Sequence, residues 1–308
     1  MKSIVENQKT QKSIRAGMAF RQAYKKSKDF KALLWGFTFL IAVSQFIAVL
    51  FSELKISIEY LDVWIVSILA TYVLFSSFGK ARMRYWQDVG CVVQQYHDFY
   101  TLNVGSKPNS FDILPSLIDS LYNTRMQKNP TDVQDFNTWW NINLNTIDFS
   151  KARLISIYST FAWEVELRTN YQKMLSMILF FSILSPIMIS IALNFTTREV
   201  ILFGFVPVIP FFSLILEEWI ENRECVNLAN KIRNDCCNVW ENVKNNKLNN
   251  NEIDSKSIEL MQRWHIYRLK TLPIFEWLYK LTQKKMNYNM VIDSNSLIED
   301  VKKLDNSI

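Results

Sequence analysis

Glycine and proline are scarce in this sequence, six and seven residues, and nothing between them reads as a β-hairpin ladder. Histidine is scarcer still, with only His97 and His265. The four cysteines, Cys91, Cys225, Cys236 and Cys237, form no Cys-x-x-Cys pair. A zinc centre therefore lacks ligands at workable spacing, and reduced, unpaired thiols are expected. No phosphate loop, dinucleotide fingerprint, zinc-protease motif, nucleophile elbow or kinase signature occurs. The acid pairs Asp132/Asp135 and Glu164/Glu166 read as solvated or interhelical groups. His97 precedes Asp98, but neighbouring side chains on a helix diverge, so the spacing does not make a dyad. No catalytic residue, metal ligand or cofactor is expected, and no internal repeat is found.

Charge is missing from four long stretches, and these organise the chain. Residues 32–52, 63–79, 174–195 and 200–216 carry no Asp, Glu, Lys or Arg. Each is long enough, or nearly so, to cross about 30 Å of hydrocarbon as a helix. They pair into two hairpins, 32–79 and 174–216. The second has a five-residue polar turn at 194–198 and three prolines, Pro186, Pro207 and Pro210. Pro207 and Pro210 each remove a helix hydrogen bond, which predicts a kinked or partly unwound fourth span, and Pro186, Pro207 and Pro210 are the hinge candidates.

What charge there is falls unevenly. Residues 1–31 hold nine Lys/Arg against Glu6 and Asp29, a balance of +7 that accounts for the net +6 of the whole chain. The balance is even over 80–172 and nearly so over 218–308. This pattern describes a basic arm beside a membrane, and no nucleic-acid polymer is expected as a partner. Lys80, Arg82 and Arg84 follow the first hairpin, and Lys151, Arg153, Arg168 and Lys173 precede the second. The two intervening turns carry only Lys55 and Arg198. The positive-inside rule then places both termini and residues 80–173 in the cytosol.

The expected fold is all-α and integral to the membrane: a basic arm (1–31), a first hairpin (32–79), a cytosolic helical region (80–173), a second hairpin (174–216) and a C-terminal helical region (217–308). The second span is expected to run on into the cytosol as one helix of about 40 residues. A short helix over 112–127 and a loop at Asn129-Pro130 follow, and a helix over 151–173 feeds the third span. Beyond the fourth span come a helix over 218–244, an asparagine-rich linker over 244–251, and helices over 257–270 and 273–290 broken at Pro273. Residues from 293 on read as a mobile polar tail.

Several motifs carry a resemblance. Ile4, Asn7 and Gln8 precede Arg21-Gln-Ala-Tyr24 and Lys28. Val93-Gln94-Gln95-Tyr96-His97-Asp98 follows the second span. Trp139-Trp140 leads to Trp163-Glu164, Leu167-Arg168 and Tyr171, and the end carries Gln262, Tyr267, Pro273, Trp277, Tyr279 and Met290. This pattern resembles the SMODS-associating four-transmembrane effector family over nearly the whole chain. It departs at Gln95, where the family has an acid, at His97, where it has an aromatic, and at Gln283, where it has an arginine. The resemblance implies a membrane effector of bacterial anti-phage defence, linked to a cGAS/DncV-like nucleotidyltransferase and answering to a cyclic oligonucleotide. It points to a homo-oligomer in the inner membrane that permeabilises the bilayer when activated. The other reading of the topology is a bestrophin-like ion channel, ligand-gated or constitutive.

Spacing alone places Gln94 and Asp98 on one helix face, and Glu164 and Arg168 at ion-pair distance within the Trp163–Tyr171 group. Their balanced charges favour helix-to-helix locking, a structural role shared with Trp277 and Tyr279. An anionic ligand needs excess cation beside an aromatic platform. Two places supply that: Lys80, Arg82 and Arg84 with Tyr85 and Trp86, and Arg263 with Trp264 and Arg268.

Overall fold

The computed structural model describes residues 3–53, 61–105, 107, 109 and 112–306. Residues 54–60 of the turn expected over 53–62, and 106, 108 and 110 of the loop over 105–110, lie outside the described residues. Helix α1 (Ile4–Gln8) is opened by a reciprocal cap between Ser3 and Glu6. Two long helices follow, α2 (Gln11–Glu53) and α3 (Leu61–Leu102), then the short α4 (Pro115–Lys128) and α5 (Asp132–Asn137). A 3-10 turn at Ile142–Thr146 leads into α6 (Phe149–Ala192), then α7 (Thr197–Glu199). Helix α8 (Ile209–Lys244), α9 (Asn250–Lys270) and α10 (Glu276–Asn306) complete the chain, and no strand occurs among the described residues.

Asparagine does the work that glycine is too scarce to do. Asn103, Asn194 and Asn246 adopt φ of 53°, 53° and 54° just past α3, α6 and α8. Asparagine tolerates this left-handed conformation better than other side chains. At α6 and α8 the closing bonds are Phe195 N–H to the Ser190 carbonyl and Lys247 N–H to the Asn242 carbonyl, both 2.9 Å. Asn249 then caps α9 reciprocally with Glu252. The asparagine-rich stretch is therefore a tight turn with defined ends, not a lax linker.

Helix α2 and helix α3 lie antiparallel. A Cβ on Gly90 would sit 2.7 Å from the Tyr24 ring, and one on Gly79 would sit 2.7 Å from Leu34. Around them, Met18, Ala23, Val93, Tyr96, Leu121 and Phe136 form one core. A larger core surrounds α6, whose residues 152–157 are buried on every side among Ala229, Ile232, Trp264 and Tyr267. Ile298 and Val301 belong to it as well. That corrects the expected polar tail: α10 continues to Asn306 because those two apolar residues share a face and reach the core. Pro273 does break the last two helices, between α9 and α10.

Over Gln11–Ile47 and Phe149–Ala192, two helices are long and apolar enough to cross a membrane. Residues 63–79 lie within the continuous α3, whereas 200–216 do not form one regular helix. The chain winds wide, as a π-helix, over Val200–Phe205, then tight, as a 3-10 turn, over Val206–Val208, before α8 begins. Pro207 lies in the tight turn, and Pro210 lies in the first turn of α8, where its missing N–H has no partner to lose. Pro186, by contrast, is contained in an uninterrupted α6. The wide turn brings Gly204 against it, with space for a Cβ only 3.5 Å from the Pro186 Cβ.

Candidate coupling site at the membrane junction

Lys31 is the last charge of α2 before its apolar stretch, and Glu218 stands in α8 just after the second hairpin. The fold buries both, to 2% and 4% exposure, and pairs them directly. An ammonium has three donors, and here all are used. Lys31 Nζ donates to Glu218 Oε1, to the Tyr171 hydroxyl at 2.7 Å and to the Pro273 carbonyl at 2.6 Å. The Tyr171 hydroxyl donates in turn to Glu218 Oε1, and Trp35 Nε1 donates to Glu218 Oε2 at 2.8 Å. The Tyr171 and Phe275 rings flank the ammonium, each centroid 4.7 Å away. A buried ion pair is costly unless its hydrogen bonds are complete, and these are. The cluster ties α2, α6, α8 and the turn before α10 together at the depth where the apolar stretches begin.

Two more buried pairs extend this tie into the polar body. Arg168 Nε donates to Glu164 at 2.8 Å, Tyr267 donates to the same carboxylate at 3.1 Å, and Asn222 bridges the Arg168 carbonyl and Gln172. Burial, with the Glu164 charge adding to it, pushes the Tyr267 hydroxyl well above its ordinary value, so it remains a donor. Farther in, Arg268 Nη1 meets Asp98 Oδ2 at 2.5 Å, joining α9 to α3. Burial works to raise the Asp98 carboxyl, but Arg268, with His97 beside it, prevails and holds it below the usual carboxylate range. The His97 Nδ1 lies 3.9 Å from Asp98 Oδ1, too far for a hydrogen bond, and its ring packs against Phe20 and Phe136.

The sequence-derived ligand candidates separate in space. Lys80 pairs with Glu217 at 2.9 Å and Arg84 with Glu221 at 3.4 Å, so both cations face α8. They line a small cleft with Lys31, Trp35 and Glu218. Arg82 points to Phe78, and the Trp86 face is covered by the Lys26 ammonium at 3.9 Å. Arg263 is paired with Asp235 at 2.5 Å. Trp264 is a core residue stacked on Tyr267 with centroids 4.4 Å apart, so it presents no platform to solvent, and Arg268 is engaged by Asp98. Gln94 accepts from the Tyr24 hydroxyl at 2.7 Å. Trp163 donates to Asn287 and packs on Tyr279, which also faces Lys28. Trp277 is half exposed.

Three participants were not singled out from sequence: Lys31, Trp35 and Glu218. Lys31 and Glu218 border different apolar stretches, but nothing in the local sequence pairs them. Arg153 is a fourth, pairing with Asp254 and donating to the Asn103 carbonyl at 3.1 Å where α3 ends. Among the described residues no group of three His, Cys, Asp or Glu is placed to hold a metal. The four thiols are free, and burial raises the Cys91 thiol to about 11. Chemically, then, these clusters can hold helices together or let them go.

Long apolar helices continuous with a polar helical body, tied by ion pairs where the two meet, are an architecture suited to a helical membrane protein. The chain belongs to the family described as the SMODS-associating 4TM effector domain, whose sequence model matches residues 2–297 of 308. It is thus a membrane effector associated with SMODS-type nucleotide-signalling defence, and the family is an effector family rather than an enzymatic one. No curated protein and no solved structure matches the chain.

Proposed function

We propose that this effector crosses the bacterial inner membrane four times, with both termini and the polar body cytosolic, and that activation makes it oligomerise and permeabilise the bilayer. The buried Lys31–Tyr171–Glu218 cluster carries the reading, because one set of hydrogen bonds restrains three helices that enter or leave the apolar zone. Lys80 and Arg84 supply the trigger. An anionic ligand, a cyclic oligonucleotide on this reading, competes there with Glu217 and Glu221, carboxylates of the helix that bears Glu218. Its preference for the displaced state is what shifts the equilibrium, since equal affinity for both states would shift nothing. A nucleotidyltransferase of the signalling system supplies the ligand.

The test is purified protein in dye-loaded liposomes. Cyclic oligonucleotide is expected to release dye, Glu218→Gln to leak without it, and Lys80→Gln with Arg84→Gln to respond weakly. Correctly inserted protein from which none of the cyclic oligonucleotides releases dye overturns the reading. Unitary current steps of fixed conductance would favour the bestrophin-like channel instead.

A further inference from the structure

Helix α10 has two faces of different kinds. Leu278 and Met286 are buried against Leu175 and Ile215, the residues at which α6 enters and α8 leaves the apolar zone. Phe275, just before the helix, packs its ring 4.9 Å from that of Trp35 in α2. The opposite face is uncovered: Trp277 is 52% exposed and Leu281 73% exposed, one helical turn apart. Tyr288 and Ile292 continue the same ridge, also exposed. Lys280 and Lys284 run along one side of it and Lys285 along the other, and no acidic residue occurs between Trp277 and Ile292. None of these three lysines has an ion-pair partner among the described residues.

An exposed tryptophan and leucine in water cost free energy, roughly 25 cal/mol for each Å² of apolar surface left uncovered. An apolar ridge with lysines on both flanks has the pattern of a helix that lies against an anionic leaflet, apolar groups among the acyl chains and ammonium groups at the phosphates. The location of its start fits, because Leu278 packs on the residues that mark the membrane boundary. Farther along, α10 follows α6 into the polar body, with Asn287 on Trp163 and Asn289 on Glu166. The uniform positive charge also argues against the same face of a second copy, which would bring like charges together.

We infer that the first three turns of α10 form a contact with anionic lipid, seating Trp277 and Leu281 in the leaflet and Lys280, Lys284 and Lys285 at lipid phosphates. This rests on the placement of the chain in a membrane, but not on oligomerisation or leakage. The contact anchors the part of the chain that supplies the Pro273 carbonyl to Lys31, so lipid charge acts directly on the buried cluster.

The test uses the full chain in liposomes, with Cys237→Ser and a nitroxide at Leu281→Cys, and a second label at Lys302→Cys as a reference. Collision of the label with oxygen is compared with collision with a water-soluble nickel chelate. In phosphatidylglycerol-containing vesicles the label at 281 is expected to be severalfold more shielded from nickel than the one at 302. That shielding should be lost in pure phosphatidylcholine and in the variant with Lys280, Lys284 and Lys285 all changed to Gln. Nickel access at 281 in anionic vesicles overturns the proposal, as does equal shielding in neutral ones. Spin–spin broadening at 281 that disappears on dilution with unlabelled protein overturns it in favour of a second copy. Dye release from the same vesicles is read separately, so loss of leakage with shielding intact rejects only the pore reading.

Discussion

Helix α6 passes through two regions that obey different rules. Over 152–157 every residue is buried, polar and apolar alike, and the two terminal nitrogens of Arg153 meet Asp254 and the Asn103 carbonyl at the end of α3. Over 177–191 the same helix exposes Met177, Phe180, Phe181, Met188 and Ile191. The first region is held by packing in which side chains interlock. In the second, those side chains meet little of the protein; Ser190 donates back to the Pro186 carbonyl of the same helix at 2.7 Å, and Gly204 makes a close approach from the next segment. Dense packing thus resides in the polar body and in the buried cluster at the junction, while the second hairpin contains the irregular backbone. Irregular winding in a membrane needs partners for its freed backbone groups, which makes that hairpin sensitive to how its neighbours are arranged.

The contrast can be broken most severely at the junction. Glu218→Ala leaves the Lys31 ammonium buried without its carboxylate and is expected to cost about 3–5 kcal/mol, read as a fall in melting temperature in detergent. Lys31→Met combined with Glu218→Met should recover most of that loss; a single variant that melts like the unaltered protein would deny the cluster any stabilising role. A smaller effect is expected in the body from Gly17→Val, because even a Cβ there would lie 2.6 Å from the Phe136 ring. Overpacking of this kind costs about 1–3 kcal/mol, and hydrogen exchange should show the loss around α4 and α5 while leaving α6 protected.

Acid probes the same body more gently. The folded Asp98 carboxyl titrates below its unfolded value, so its contribution is complete above roughly pH 4 and disappears as the pH falls through the depressed folded value. Melting of Asp98→Asn is therefore expected to vary less with pH in that acid range than melting of the unaltered protein. The smallest effect on stability, and the sharpest test of the hairpin, is Pro207→Ala with Pro210→Ala. The body should melt nearly unchanged while ligand-induced dye release is lost; retained release would remove the hairpin from the mechanism.

Much of the fold was legible in the residues themselves. The first three uncharged stretches fall on the long helices α2, α3 and α6, as helix periodicity, a local property, predicts. The fourth is irregular, and among the described residues only two helices are long and apolar enough to cross a membrane. The predicted distortion near Pro207 is seen as the wide and tight turns, since a missing N–H is also local. The polar tail was misjudged because Ile298 and Val301 are too few to make a stripe, and only the core they reach explains them. The buried cluster lay beyond reach for the same reason: Lys31 and Glu218 are 187 positions apart, and the pairing exists only once α2 and α8 are side by side. Trp264 and Arg268, attractive as an anion platform by composition, are occupied by Tyr267 and Asp98, partners that spacing does not reveal.

Helices α2, α3 and α6 each run without interruption from the polar body into an apolar stretch. No flexible tether joins the two parts along these helices, so their relation is one of rotational phase. Each added residue turns everything beyond it by about 100° around the helix axis, and seven return it to within about 20°. One residue inserted after Lys173 would present a different side of α6 to Ile215 and Phe211, while seven would restore the side but lengthen the lever. Transplanting this apolar half onto another sensor is accordingly a problem of matching helical pitch, as a gear is matched to its shaft, and a linker of convenient length would transmit nothing.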